Sequence, residues 1–257
     1  MDAERLRTLF DLSGRTAIVT GGTRGIGFAL AQGHLAAGAN VVVTGRSQDR
    51  CRAAQSNLEV DAPGRVAAIA AHMGDLDQVK NLVRQTVSTF GGVDIVVNNA
   101  ATSLLQQFGE ITPEAWHKSL SVNVTGPLFL VQEALPHLTA SEHAAVLNLI
   151  SPAAFMFAGQ MPLYAAGKSA MLALTRSMAA AFAPNGIRVN ALTPGPVDTQ
   201  MMRNNPPEFI EATANQTLLG RLADPDEMIG PALLLTSDAG SYITGQVLMA
   251  DGGMVPH

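Results

Sequence analysis

Seven short runs of β-branched and aliphatic residues, each followed by a turn and most by a stretch with helical spacing, restrict what this chain can fold into. They are Thr16-Ala17-Ile18-Val19-Thr20, Val41-Val42-Val43-Thr44, Val66-Ala67-Ala68-Ile69-Ala70, Val93-Asp94-Ile95-Val96-Val97, Ala145-Val146-Leu147-Asn148-Leu149-Ile150, Ile187-Arg188-Val189-Asn190-Ala191-Leu192 and Gln246-Val247-Leu248-Met249-Ala250. Most are nearly continuous in apolar residues rather than alternating. Strands read that way when helices cover both faces of a parallel sheet. No low-complexity tract or linker interrupts the series. The pattern predicts a single α/β domain over residues 1–257: a doubly wound, seven-stranded parallel sheet with helices on both faces. Helices are expected over Ile26 to Ala37, ended by Gly38, and over Leu76 to Phe90, ended by Gly91-Gly92. A third runs from Tyr164 to Phe182. It is small and apolar nearly all round, which predicts burial on more than one side and packing against the same helix of another subunit.

Composition narrows the class. With 257 residues, 47% hydrophobic and 14% charged, the chain is too apolar to be disordered and large enough to fold without disulfides or metal. A net charge of −5 with 16 Lys+Arg argues against nucleic acid or an anionic membrane as partner. One cysteine, Cys51, allows no disulfide within the chain and fits a reducing compartment. The first residues do not read as a signal peptide. No apolar run reaches the length of roughly 18 residues that a membrane-spanning helix needs. Val255-Pro256-His257 matches no targeting tripeptide. A cytoplasmic location is expected.

The first strand runs into Thr20-Gly21-Gly22-Thr23-Arg24-Gly25-Ile26-Gly27. Gly21, Gly25 and Gly27 allow a sharp turn and close approach of a pyrophosphate. The following helix start offers it unpaired N–H groups and a positive dipole end. After the second strand a dinucleotide site using NAD places an acid to bond the ribose hydroxyls. No Asp or Glu lies between Asn40 and Gln48. Arg46 stands there instead, and Arg24 can join it in forking a 2′-phosphate. NADP(H) is therefore predicted over NAD(H).

Tyr164 and Lys168 lie four apart at a helix start, on one face. The chain has two Tyr and three Lys, so the spacing is rarely accidental. An ammonium beside a phenol lowers its pKa and suits it to proton exchange with an alcohol or carbonyl oxygen. Ser151 follows the fifth strand, where a parallel sheet lines its ligand crevice. Leu149-Ile150-Ser151-Pro152-Ala153 lacks the elbow of a serine hydrolase, which leaves Ser151 to bond a substrate oxygen and orient Tyr164. Asn123, inside a helical stretch, is a poor helix former and suits a specific polar task such as holding a water.

Together these residues resemble the classical short-chain dehydrogenase/reductase family over roughly Leu12 to Gly253. Asn98-Asn99-Ala100-Ala101, Pro194-Gly195-Pro196-Val197-Asp198-Thr199 and Asp251-Gly252-Gly253 add to the likeness. The resemblance implies a Rossmann fold, a homotetramer and an Asn123-Ser151-Tyr164-Lys168 tetrad. Tyr164 would be the general acid/base and Ser151 would polarise the substrate oxygen. Lys168 would bond the nicotinamide ribose, and Asn123 would hold a relay water. Gly21, Thr23, Arg24, Gly25, Ile26, Gly27, Arg46, His72, Met73, Asn99, Ala100, Ala101, Pro194, Gly195, Val197 and Thr199 would line the cofactor. Two departures stand out. Ala101 replaces a usual Gly, and His72-Met73 replaces the Asp-Val common beneath the adenine. Both, with Ser241-Tyr242-Ile243-Thr244-Gly245, resemble the branch of NADPH-dependent carbonyl and retinal reductases. No ligand cluster accompanies His72, so no metal is expected.

The substrate is expected among Ser151, Phe155, Met156, Met161 and Tyr164, under a mobile lid at about 198–219 carrying Met201 and Met202. That lining fits a hydrophobic carbonyl or secondary alcohol. No Arg or Lys lies between Ser151 and Leu163, so no fixed carboxylate clamp is expected there. A 3-oxoacyl-[acyl-carrier-protein] reductase is the alternative and would need Arg176, Arg203 and Arg221 in one basic patch. A non-catalytic NADPH sensor is the remote alternative. An enoyl reductase fits less well, because those relatives space Tyr and Lys more widely.

Overall fold

The computed structural model describes residues 2–256. In chain order its elements are α1 (Ala3–Thr8), β1 (Thr16–Thr20), α2 (Gly25–Ala36), β2 (Asn40–Gly45), α3 (Gln48–Glu59), β3 (Val66–Ala70), α4 (Leu76–Phe90), β4 (Ile95–Asn98), α5 (Pro113–Leu120), a π-helical turn (Ser121–Thr125), α6 (Gly126–Ala140) and β5 (Ala145–Leu149). The long α7 (Pro162–Phe182), β6 (Arg188–Pro194), α8 (Gln200–Arg203), α9 (Pro207–Ala214), α10 (Ile229–Thr236) and β7 (Val247–Ala250) follow.

All seven predicted strands form, within a few residues of their expected ends. They make one parallel sheet in the order β3-β2-β1-β4-β5-β6-β7. The order reverses at β1, which pairs with both β2 and β4. A crevice opens there beyond the carboxyl ends of the strands. Every residue of β1, β4 and β5 is buried. One core joins the sheet to α2, α3 and α10 through residues such as Leu30, Leu58 and Leu235. The other joins it to α4, α6 and α7 through Leu82, Leu130 and Met178. The continuous apolar runs follow from this double covering.

Local signals set the helix ends. Asp75 caps α4 by accepting from Gln78 N–H, and Gly91 ends it at φ 87°, in the left-handed region that glycine enters cheaply. One expectation is not met within the chain. Leu163, Gly167, Met171, Thr175 and Met178 bury one face of α7, while Ser169, Ala173 and Ala180 on its other side are exposed.

Among the described residues no helix is long and apolar enough to cross a membrane, and no His, Cys, Asp and Glu group is disposed to hold a metal.

Candidate active site

The glycine loop joins β1 to α2, as its spacing requires. Gly21 (φ 66°) and Gly25 (φ 54°) both adopt left-handed backbone. A Cβ on Gly27 would collide with Gly21 O and with Asn99 Nδ2. The loop is thus a cradle that side chains would fill, and its open side faces the amides at the start of α2. Asn99, just beyond β4, pins it: Nδ2 donates to Thr20 O at 2.8 Å. Thr20 Oγ1 in turn accepts from Asn99 N at 2.9 Å and Ala100 N at 3.0 Å. Thr199, at the start of α8, closes the loop, with Cγ2 3.2 Å from where a Gly25 Cβ would sit. Its neighbours Gly195 and Val197 are held by Gly195 N to Ala250 O at 3.0 Å and by the Val197–Ala223 bridge. Pro194 is the last residue of β6. Thr23 packs on Gly45 at the end of β2, directly before Arg46. Arg24 and Arg46 are exposed, and neither forms an ion pair among the described residues.

Tyr164 and Lys168 project from one face of the first turns of α7, beside the end of β5. Lys168 is buried, 4% exposed; its Nζ donates to Leu149 O at 2.6 Å and lies 5.4 Å from the centre of the Tyr164 ring. Ser151 Oγ accepts from Ala153 N at 3.3 Å and turns its hydroxyl toward Tyr164. The electrostatics differ from the expected picture. Burial pushes the Tyr164 phenol above its ordinary pKa, opposed by the Ser151 hydrogen bond. Burial also pushes Lys168 down to about 8. Desolvation outweighs the ammonium's pull because Nζ sits over the ring, tied to a carbonyl, rather than at the hydroxyl.

Asn123 is buried in the π-helical turn between α5 and α6, not in a regular helix. Its Oδ1 accepts from Thr102 N at 2.9 Å, and Nδ2 donates to Thr102 O at 2.8 Å and Ser119 Oγ at 3.2 Å. The side chain clamps the loop beyond Ala101 to the π-helical turn. Gly167 brings α7 against it: a Cβ there would lie 3.1 Å from Asn123 Cβ.

The remaining predicted residues lie on the segments after β3, β5 and β6. Phe155 follows the short helical turn Pro152–Ala154 and packs with the cluster of Ile150, Met171 and Val247. Met73 is buried with the core on the α4/α6 side, against Gly126. His72 stays half-open at the end of β3, where Nδ1 accepts from Gly74 N at 3.1 Å, fixing the neutral ring as its Nε2–H tautomer. Met161 is the residue before α7. Met156 and Met201 are exposed, and Met202 is half-buried. Thr20, Thr102 and Ser119 hold the site together but escaped the reading. The only available signal was polar residues inside or beside otherwise apolar elements.

Comparisons with known proteins agree with this fold. A family model described as enoyl-(acyl carrier protein) reductase matches residues 21–255. The chain is 35% identical over 246 residues to an L-rhamnose 1-dehydrogenase (NAD(P)(+)) of Azotobacter vinelandii, covering 93% of this chain and 96% of that one. It is 35% identical over 251 residues to the rhamnolipids biosynthesis 3-oxoacyl-[acyl-carrier-protein] reductase of Pseudomonas aeruginosa, covering 95% and 97%. A gluconate 5-dehydrogenase from Burkholderia cenocepacia, solved with NADP and tartrate, superposes with a TM-score of 0.91 at 30% identity over 97% of this chain and 98% of that one. A strand–glycine loop–helix crevice beside half-buried Tyr164 and buried Lys168, in a chain alike to these oxidoreductases over nearly its whole length, places the protein in the classical short-chain dehydrogenase/reductase family.

Proposed function

We propose that this oxidoreductase uses NADP(H) to interconvert a hydrophobic carbonyl compound and its secondary alcohol. The observation that carries the reading is the meeting of Tyr164, Ser151 and Lys168 at the carboxyl end of β5. The glycine cradle would hold the pyrophosphate and Arg24 with Arg46 the 2′-phosphate. His72 would flank the adenine, and Val197 and Thr199 the nicotinamide end. When bound, the nicotinamide supplies or accepts the hydride. Tyr164 then gives its proton to the substrate oxygen during reduction, or takes it during oxidation. Ser151 donates a hydrogen bond to the same oxygen. Lys168 offers its ammonium to the ribose and to the phenolate left by proton transfer.

Arg46 carries the cofactor preference. Arg46→Asp should weaken NADPH binding by roughly 10- to 100-fold, the scale of a lost charge-assisted contact plus repulsion. Titrations of NADPH and NADH against both proteins check this; a variant that still prefers NADPH would defeat the assignment.

The pKa directions set a pH dependence for kcat/KM, which reports the free enzyme. Reduction needs the phenol protonated, and the raised Tyr164 pKa keeps it so through neutral pH. The reduction profile should be flat there and fall as Lys168 loses its proton near about 8. Oxidation needs the phenolate together with the ammonium and should rise with pH until Lys168 loses its proton near about 8, then level off. A reduction profile that climbs through pH 8 contradicts the assigned roles.

Exposed Leu105, Phe108, Met156, Phe157, Met201 and Leu218 lie on segments following β4, β5 and β6. Such a rim favours an apolar substrate. Arg203 does not offer itself to a sugar acid, because it grips Asp198 at 2.7 and 2.9 Å. The similarity to the P. aeruginosa reductase favours one second reading, a 3-oxoacyl thioester substrate. Against carrier-protein docking, Arg221 is paired with Glu227 at 2.6 Å, and Arg176 lines a separate groove with Phe155 and Gln246. NADPH oxidation over aromatic ketones, steroids, retinal, quinones and β-ketoacyl thioesters tests the reading; activity confined to sugars would overturn the hydrophobic assignment. The same reading includes one catalytic domain over 1–257 with a lid at about 198–219, a cytoplasmic location, and a homotetramer formed through the open face of α7. Light scattering of the purified protein tests the last.

A further inference from the structure

A chain of buried polar side chains crosses the apolar core beneath the site. Asn98, the last residue of β4, sits directly across from Asn148 of β5 and donates from Nδ2 to Asn148 Oδ1 at 2.9 Å. Asn148 donates from Nδ2 to Thr175 Oγ1 of α7 at 2.9 Å. Thr175 Oγ1 donates to Met171 O at 2.8 Å. Asn98 is 4% exposed, and Asn148 and Thr175 are 0% exposed. Asn98 Oδ1 is buried without a hydrogen-bond partner.

Placing three polar side chains in an apolar layer is costly unless each bond forms in one arrangement. That cost makes the ladder selective for register. Apolar contacts tolerate a helix sliding or turning over a sheet, and α7 is smooth at Gly167 and Ala179. A side-chain amide meeting one hydroxyl does not tolerate it. Thr175 lies two helical turns beyond Lys168 on the same buried face. Lys168 bonds Leu149 O, the carbonyl next after Asn148. α7 is therefore fastened at two heights to adjacent residues of β5. On its far side the ladder ends at Asn98, whose neighbour Asn99 pins the glycine loop.

We propose that Asn148 and Thr175 are positioning residues that hold Tyr164 and Lys168 in register with the cofactor crevice through the Asn98–Asn148–Thr175 ladder. The proposal rests on the roles given above to Tyr164 and Lys168. Thr175→Val keeps shape and removes the hydroxyl; Thr175→Ser keeps the hydroxyl. Both are made in a Tyr242→Phe background, where Tyr164 is the sole tyrosine and its ionisation is read by near-ultraviolet absorbance without cofactor or turnover. Thr175→Val should move that ionisation by about half a pH unit or more. It should lower kcat about tenfold, the scale of a small misplacement of reacting groups, with the KM and Kd for NADPH within about twofold. Thr175→Ser should restore both. If the Val variant does not fold, Thr175→Ala gives the same two readings. A folded variant with unchanged Tyr164 ionisation and unchanged kcat overturns the proposal, even if its Tm falls. Absence of NADPH-dependent turnover in the unmodified protein would sink the functional reading instead, leaving the cofactor-free titration to decide the ladder.

Discussion

Tyr164→Phe should bind NADPH almost as tightly as the unmodified protein yet turn over at least about 100-fold more slowly, the usual scale of lost acid–base catalysis. The hydroxyl is the only atom removed. The ring stays packed at the start of α7, and the glycine cradle, Arg24 and Arg46 are untouched. Ser151 loses one partner but keeps its bond from Ala153 N. Fluorescence titration with NADPH and steady-state turnover of the best screened substrate measure the two quantities separately. Near-normal turnover would remove Tyr164 from the chemistry, and a parallel loss of cofactor affinity would make its role one of binding.

Lys168→Met should make the protein more stable while disabling it. Burial holds the ammonium's pKa at about 8 against an ordinary 10.5. At about 1.4 kcal/mol per unit, keeping that charge inside costs the native state about 3 kcal/mol at neutral pH. The bond to Leu149 O returns about 1 kcal/mol, so a Met of similar shape should gain about 2 kcal/mol. That corresponds to a Tm increase of roughly 4–8 °C for a chain of this size. Turnover should fall at least about 100-fold, because no cation remains to meet the ribose or the phenolate. The pH dependence has a definite sign. Between about 8 and 10.5 the unfolded chain keeps a Lys168 proton that the native protein has released. The native protein therefore gains stability with rising pH in that window, and its deficit relative to Lys168→Met closes. Thermal melts at neutral and alkaline pH check this. A variant less stable at neutral pH would show that the buried ammonium contributes more through its hydrogen bond than it costs in desolvation.

Local chemistry was legible because it is written locally. Continuous apolar runs announced a sheet covered on both faces, and all seven strands formed where those runs lie. Gly21, Gly25 and Gly27 between a strand and a helix announced a turn only glycine can make. Tyr164 and Lys168 four residues apart had to share a helix face. Ser151 followed by Pro152 encodes the short helical turn before Phe155, but Ile150 and Met171, against which that ring packs, come together only in the fold.

Asn98, Asn148 and Thr175 lie 50 and 27 residues apart along the chain and show no relation until β4, β5 and α7 stand side by side. The same holds for Asn123 and Thr102. The proton affinities at the site also depended on the assembled fold. Spacing alone put an ammonium beside a phenol and implied an acidified tyrosine. Burial reversed that sign, because a charge responds to all the water excluded around it, and that exclusion exists only once distant elements have closed over it.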